Sequence, residues 1–193
     1  MIYDYENSIV HIKIVYYGPE LSGKTTMIKS LFRYLRPQEN VLCIDNSIRR
    51  TMVFDYGTLL IHGDKWDLKV HIYTTPGHDY YGIPRLITLT ACDGVIFVAD
   101  SQDCAYHRSF ASWIELIYYF GKSLKSLPLV IAFNKQDLPD KFNSNQMLKY
   151  INFSKLINAK STETIAIKGE GVDDTFITLL DLIVNKNQNT INL

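Results

Sequence analysis

Residues 9–17 (IVHIKIVYY) form an apolar and aromatic run broken only by His11 and Lys13, and the run stops at Gly18. This pattern predicts a mostly buried strand. The period then lengthens: from Lys24, apolar residues recur at Met27, Ile28, Leu31, Phe32 and Leu35, which puts one face of a helix on a core, and Pro37 ends it. Two further strand-like runs, Met52 to Ile61 and Leu68 to Tyr73, flank the turn signal HGDKWD and predict an antiparallel hairpin at a sheet edge. Gly94 to Ala99 and Leu127 to Phe133 are continuous apolar runs of strand length, suited to central parallel strands covered on both faces. Between them Phe110, Trp113, Ile114, Ile117 and Phe120 keep helical spacing up to Gly121. A short helix near Asn145 to Ile151, a strand at Thr162 to Ile167 and a last helix carrying Val172, Phe176, Leu179, Leu180 and Ile183 complete an alternating pattern. Such alternation predicts a three-layer α/β fold: a six-stranded, mostly parallel sheet with an antiparallel edge hairpin, room for one extra edge strand, and helices on both faces. No internal repeat, low-complexity stretch or linker divides residues 1–193, so a single domain is expected.

Composition narrows the functional classes. Hydrophobic residues make up 47% and charged residues 21%, with 20 basic and 20 acidic side chains, so neither disorder nor a polyanion-binding surface is indicated, and nucleic acid is not an expected partner. Cys43, Cys92 and Cys104 lack the spacing of a disulfide framework or a zinc site, which suits a reducing, cytoplasmic setting. No leader or membrane-spanning run is readable. Ile2 and the tail NQNTINL offer no lipidation signal, so no direct membrane anchor is expected.

Gly18-Pro19-Glu20-Leu21-Ser22-Gly23-Lys24-Thr25 matches GxxxxGK[ST] between a predicted strand and a predicted helix, which is the context the motif requires. A polyphosphate needs backbone N–H groups pointing into a concave loop, glycines where the chain approaches oxygen atoms, and one cation beyond them. Lys24 would supply that charge to the β- and γ-phosphates, and Thr25 its hydroxyl to Mg²⁺. A phosphate loop alone fits a kinase, an ATPase or a GTPase. Asn134-Lys135-Gln136-Asp137 follows the Leu127 to Phe133 strand at the edge where open α/β sheets bind ligands. The Asp137 carboxylate could accept from both guanine N1–H and the exocyclic amine, a donor pair that adenine lacks. Residues 163–169 (ETIAIKG) could bring backbone N–H groups, at Ala166 and Ile167, to guanine O6; a plain strand-to-helix turn is the alternative. Tyr73-Thr74-Thr75-Pro76-Gly77-His78 follows the second hairpin strand, where a GTPase needs a glycine at the γ-phosphate and a neighbour that orients water; Gly77 and His78 fit.

With these strings in place, the chain resembles the Ras superfamily, and more closely the gliding-motility Ras-like GTPases of bacteria and archaea, the MglA group. KIVYYGPELSGKTT, RTMVFDY, YTTPGHDYY, DGVIFVADSQ and NKQDLPD carry the likeness in order over most of the chain. The resemblance implies a P-loop NTPase fold and the binding of GTP or GDP with Mg²⁺. It implies that Gly18, Glu20, Leu21, Ser22, Gly23, Lys24, Thr25 and Thr26 surround the phosphates. Thr51 would join Thr25 on Mg²⁺, Gly77 would sense the γ-phosphate, and Asn134, Lys135 and Asp137 would read the base. Arg50, directly before Thr51, stands where that group has a built-in arginine finger, with a solvated charge beside Arg49 as the alternative. An activating protein, an exchange factor and an effector are implied as partners.

The chain departs from the wider pattern at three positions. Thr74 replaces the aspartate that most Ras-like proteins use to hold a water on Mg²⁺, a change the gliding-motility group shares. His78 stands where that group usually has glutamine. Glu20 replaces a phosphate-loop glycine and would set a carboxylate beside the γ-phosphate, with a side chain turned outward or paired with Arg50 as the alternative. The expected function is a molecular switch that hydrolyses GTP slowly, with Lys24, His78 and Arg50 as catalytic groups. A module that holds GTP without turnover is the rival favoured by Glu20 and His78.

Overall fold

The computed structural model describes residues 1–35, 41–43, 49–50, 55–75 and 82–188, with backbone alone at 41–43, 49–50, 82–84 and 187–188. The amino-terminal apolar run forms β2 (Ile9–Tyr17), which ends at the glycine loop, and α1 (Lys24–Leu35) follows as its spacing predicts. β5 (Asp55–Ile61) and β6 (Asp67–Thr74) pair antiparallel as the expected hairpin. β7 (Gly94–Asp100) and β8 (Leu129–Asn134) are buried along their whole length, which is why their sequences show no alternation. α3 (Tyr106–Phe120), α4 (Ser144–Tyr150), β9 (Ala159–Thr164) and α5 (Val172–Gln188) complete the alternation.

β6, β2, β7, β8 and β9 run parallel to one another, and β5 is antiparallel beside β6. A short β3 (Val41–Cys43) pairs antiparallel with β5 and supplies the extra edge strand. Two small additions branch from this path: β1 (Ile2–Asp4) pairs with the start of β2, and β4 (Arg49–Arg50) pairs with the start of β5. Strand alternation divides the core between the two faces. Ile12, Ile14 and Tyr16 of β2 pack with Met27 and Leu31 of α1 and with Phe176 and Leu179 of α5. Val15 and Tyr17 face the opposite layer, with Phe97 and with Trp113 and Leu116 of α3.

Two elements differ from the sequence reading. The strand expected at Thr162 to Ile167 lies three residues earlier, because Thr164 already pairs with Asn134 at the end of β8 and the chain turns back to bridge Ile165 to Glu170. A helix, α2 (Gly82–Leu89), was not legible. It buries Arg85 and leaves Leu86 and Ile87 exposed, which inverts the pattern that identifies a helix, and its Pro84 is tolerated only because it sits in the first turn.

Candidate nucleotide-binding site

The loop between β2 and α1 is built around two glycines. Gly18 has φ +143° and its missing Cβ would lie 2.3 Å from the Val98 carbonyl oxygen of β7; Gly23 has φ +103° and a Cβ there would lie 2.2 Å from Asn134 Nδ2. Both backbone conformation and space therefore require glycine. The Lys24 ammonium is buried and donates to the carbonyls of Gly18 at 2.9 Å and Pro19 at 2.6 Å, so it stands inside the concavity of the loop. Burial, reinforced by the charge of Arg85, pulls its pKa down to about 7 against the opposing charges of Glu20 and Asp55. Incoming phosphate oxygens would act in the same sense as those carboxylates and hold the charged form. Glu20 itself is half-buried.

Next to Lys24, the Thr25 hydroxyl donates to Asp55 Oδ2 at 2.5 Å. Asp55 is buried at the start of β5, and Thr74 at the end of β6 holds it twice: the Thr74 hydroxyl accepts from the Asp55 amide at 2.8 Å and donates to its carboxylate at 3.3 Å. Asp55, on the strand adjacent to Thr74, thus stands between Thr74 and Thr25. These groups suit Mg²⁺, a hard cation that takes oxygen donors and keeps several waters. A threonine hydroxyl that gives its proton to a carboxylate keeps a lone pair for a cation, and the same carboxylate can hold a cation-bound water.

Beside the loop lies a cavity of about 300 Å³ lined by Leu21, Gly23, Thr26, Asn134, Lys135, Asp137, Leu138, Ala166 and Ile167. Asn134 is buried and joins three segments: its amide group donates to the Ser22 carbonyl at 2.8 Å, while its Oδ1 accepts from the Thr164 hydroxyl at 3.1 Å and the Ala166 amide at 2.9 Å. The Ala166 amide is therefore engaged with Asn134. Ser30 of α1 donates to the Ala166 carbonyl at 2.5 Å and fixes the same turn from below. Lys135, at φ +68°, donates to Asp100 Oδ2 at 2.8 Å, and Arg108 of α3 reaches the same oxygen at 2.6 Å. Asp100 is wholly buried at the end of β7, so a desolvated carboxylate holds the Lys135 stem along one wall of the cavity.

The structure brings together Gly18, Leu21, Ser22, Gly23, Lys24, Thr25, Thr26, Asn134, Lys135, Asp137, Ala166 and Ile167 along one sheet edge, at the carboxyl ends of β2, β7 and β8. Thr51, Gly77 and His78 lie outside the described residues. Of Arg50 only the backbone is described: it lies in β4, directly across from Asp55. Asp55 and Asp100 were missed by sequence reasoning. For Asp100 the signal available was an acidic residue ending an otherwise apolar strand; Asp55 lies inside the run Met52 to Ile61 and offered none.

The model of the ADP-ribosylation factor family matches residues 2–183. The chain belongs to that family. It is a Ras-like small GTPase domain with guanine nucleotide as its class of ligand. The mutual gliding-motility protein MglA of Myxococcus xanthus is 32% identical over 191 residues, covering 95% of each chain. The Ras-like protein rasC of Dictyostelium discoideum is 26% identical across 94% of this chain and 90% of its own. The Ras-related protein Rab-5B of Plasmodium falciparum is 27% identical across 62% of this chain and 55% of its own. Family members are read by regulators and effectors in general. Among the described residues no helix is long and apolar enough to cross a membrane, and Cys92 and Cys104 are free thiols.

Proposed function

We propose that this protein binds GTP and GDP with Mg²⁺ and slowly hydrolyses GTP, its state being read by partner proteins in a polarity- or motility-type pathway. The observation that carries the reading is one continuous edge where Lys24, inside a glycine-closed loop, stands next to a base cavity walled by Lys135 and Asp137. Phosphate oxygens would replace the Gly18 and Pro19 carbonyls on the Lys24 ammonium. Thr25 and Thr51 would hold Mg²⁺, with Asp55 as acceptor for its bound water in place of the aspartate that Thr74 displaces. When bound there, the metal would supply charge neutralisation at the phosphates. Asp137 would pair with guanine N1–H and its amine, while Asn134 keeps the loop in register.

Hydrolysis would proceed by in-line attack of a water oriented by His78. Gly77 would donate to the γ-phosphate, and Lys24 and Arg50 would stabilise charge on the transferring group. An arginine that reaches the transition state contributes roughly 10³ to 10⁵ in rate. Glu20 opposes this, since a carboxylate at the phosphate loop repels developing negative charge and competes for a nearby cation. That same residue favours a second reading, a module that retains GTP without turnover.

Single-turnover hydrolysis of radiolabelled GTP with Mg²⁺, for wild type, Arg50→Ala and Glu20→Gly, tests the proposal. Phosphate release that falls at least tenfold in Arg50→Ala and rises in Glu20→Gly is expected. Intact GTP retained by all three chains would leave only the binding module. Equal competition of ATP and GTP for a fluorescent guanine nucleotide would overturn the base assignment.

A further inference from the structure

The phosphate loop holds one residue in a conformation that its side chain resists. The Ser22 amide donates to the Pro19 carbonyl at 3.4 Å and closes a four-residue turn with Leu21 in third place, where Leu21 has φ +61°. A positive φ at that place of a turn is ordinarily met by glycine or asparagine. Of the six non-glycine residues at positive φ among the described residues, Leu21 carries the one large apolar side chain. Lys135 is another of the six, and the two line the same cavity.

Nothing in the core accounts for this side chain. A left-handed conformation costs a leucine free energy, and so does apolar surface left in water. Leu21 is 70% exposed, so packing within the protein offsets little of either. Ile167, in the turn after β9, is likewise 73% exposed on the cavity wall, whereas Leu138 is half-buried. Leu21 belongs to the loop that would hold the phosphates, yet it lines the cavity in which Asp137 would read the base. The part of a nucleotide that lies between phosphates and base is the sugar, and its carbon–hydrogen face suits an apolar side chain.

We infer that Leu21 is an apolar lip over the sugar of the bound nucleotide, with Ile167 beside it toward the base, and that this lip slows nucleotide release. The inference rests on the guanine-nucleotide reading above and adds a contact made by a side chain of the loop rather than by its backbone. Burial of Leu21 against the sugar offsets the strain that the empty loop carries. GDP and GTP share the nucleoside, so the contact is blind to the γ-phosphate and must delay both alike.

The test is dissociation of radiolabelled GDP and of a radiolabelled, non-hydrolysable GTP analogue, each with an unmodified sugar, from the whole chain with Mg²⁺. Leu21→Ala keeps the Cβ, and with it the stiffness of the loop, but removes the lip. Both nucleotides are expected to leave about tenfold faster, a change equivalent to about 1.4 kcal/mol. Leu21→Gly should release them as fast, while the Tm of the ligand-free protein stays within about 2 °C of wild type, because relief of the positive φ offsets the looser unfolded chain. Leu21→Met keeps an apolar side chain of similar reach and should stay within about twofold of wild type. Ile167→Ala should accelerate both nucleotides about threefold, since it removes less apolar cover. Unchanged release of both nucleotides from Leu21→Ala would overturn the inference while the nucleotide reading stands. So would acceleration in Leu21→Gly alone, which traces the effect to backbone freedom, or acceleration of the triphosphate alone, which places Leu21 at the phosphates. Release from Leu21→Met as fast as from Leu21→Ala would count against it equally. Wild-type protein that retains neither nucleotide would fail the guanine-nucleotide reading, and the inference with it.

Discussion

The two ends of the nucleotide site are built differently. On the base side, polar groups are satisfied by other protein groups that need not move: Asn134 uses both ends of its amide on Ser22, Thr164 and Ala166, and Asp100 holds Lys135 and Arg108. On the phosphate side, the groups are satisfied by provisional partners: Lys24 by carbonyls of its own loop and Thr25 by Asp55. On the proposed reading, base recognition would be preorganised, whereas phosphate and metal recognition would require an exchange of partners. Only the end that exchanges can report which nucleotide is bound, because only there does binding change what the protein groups hold.

The sharpest way to break this comparison is Asn134→Ala. Three hydrogen bonds disappear and the Ser22 carbonyl and Ala166 amide lose buried partners, a loss of about 3 kcal/mol at roughly 1 kcal/mol each. Thermal unfolding of the ligand-free variant should fall accordingly, and GTP and GDP affinity should drop together by roughly 100-fold. A variant with normal Tm but selectively weakened GTP binding would show that the base side is not the preformed half. Asp55→Asn addresses the other end. The amide keeps the shape but loses the charge, so Mg²⁺ affinity of the nucleotide-loaded protein should fall about 10- to 100-fold. The readout is nucleotide release against titrated Mg²⁺: chelator should accelerate release strongly in wild type and far less in the variant. Equal chelator sensitivity would remove Asp55 from the metal's surroundings.

The parts of this site legible in the sequence were those with a fixed local geometry. The glycine loop reads directly because Gly18 and Gly23 need conformations and clearances no other residue supplies, and Asn134 to Asp137 reads because it ends an apolar run at the ligand edge of the sheet. Long apolar runs likewise gave β2, β7, β8 and α3 to within a few residues. What failed to show depends on contacts distant along the chain. Asp55 becomes a candidate only when β5 and β6 pair and set it beside Thr74 and Thr25. Arg85 hides a helix because its buried charge is compensated by Glu115, thirty residues away. Neither relation has a local period.

A smaller effect is expected from Asp100→Asn. Lys135 and Arg108 are both partly exposed and can turn to water, so the substitution does not strand a buried cation. Lys135 would lose its alignment along the cavity wall, and affinity for both nucleotides should fall about three- to tenfold, a change of roughly 1 kcal/mol. Preservation of the GTP to GDP ratio would mark the loss as one of base-side order. A changed ratio would place Lys135 among the groups that sense the phosphate.

The smallest effect lies on the strands that lead to the phosphate side. On the face of β2, β5 and β6, His71 Nε2 stands 3.0 Å from His11 Nδ1, and His71 Nδ1 stands 3.0 Å from the Tyr56 hydroxyl, which in turn accepts from Thr58 at 2.6 Å. One proton between the imidazoles completes this chain, and a second would set two N–H groups against each other. Burial, then the charges of His11 and Lys69, lower the His71 pKa below its ordinary 6.5. The unfolded chain therefore takes up a proton before the folded one as pH falls, so stability present at neutral pH declines through about pH 6.5 and below. Thermal melts should show wild type losing a few degrees between pH 7.5 and 5.5, on the order of 2–4 °C for a chain of this size. His71→Gln, which retains an acceptor for Tyr56, should lose less over the same interval. Lys24 and the base cavity lie beyond this network, so nucleotide affinity in His71→Gln at neutral pH should match wild type. If it does not, the exchange of partners at the phosphate end extends back along β6 into the body of the sheet.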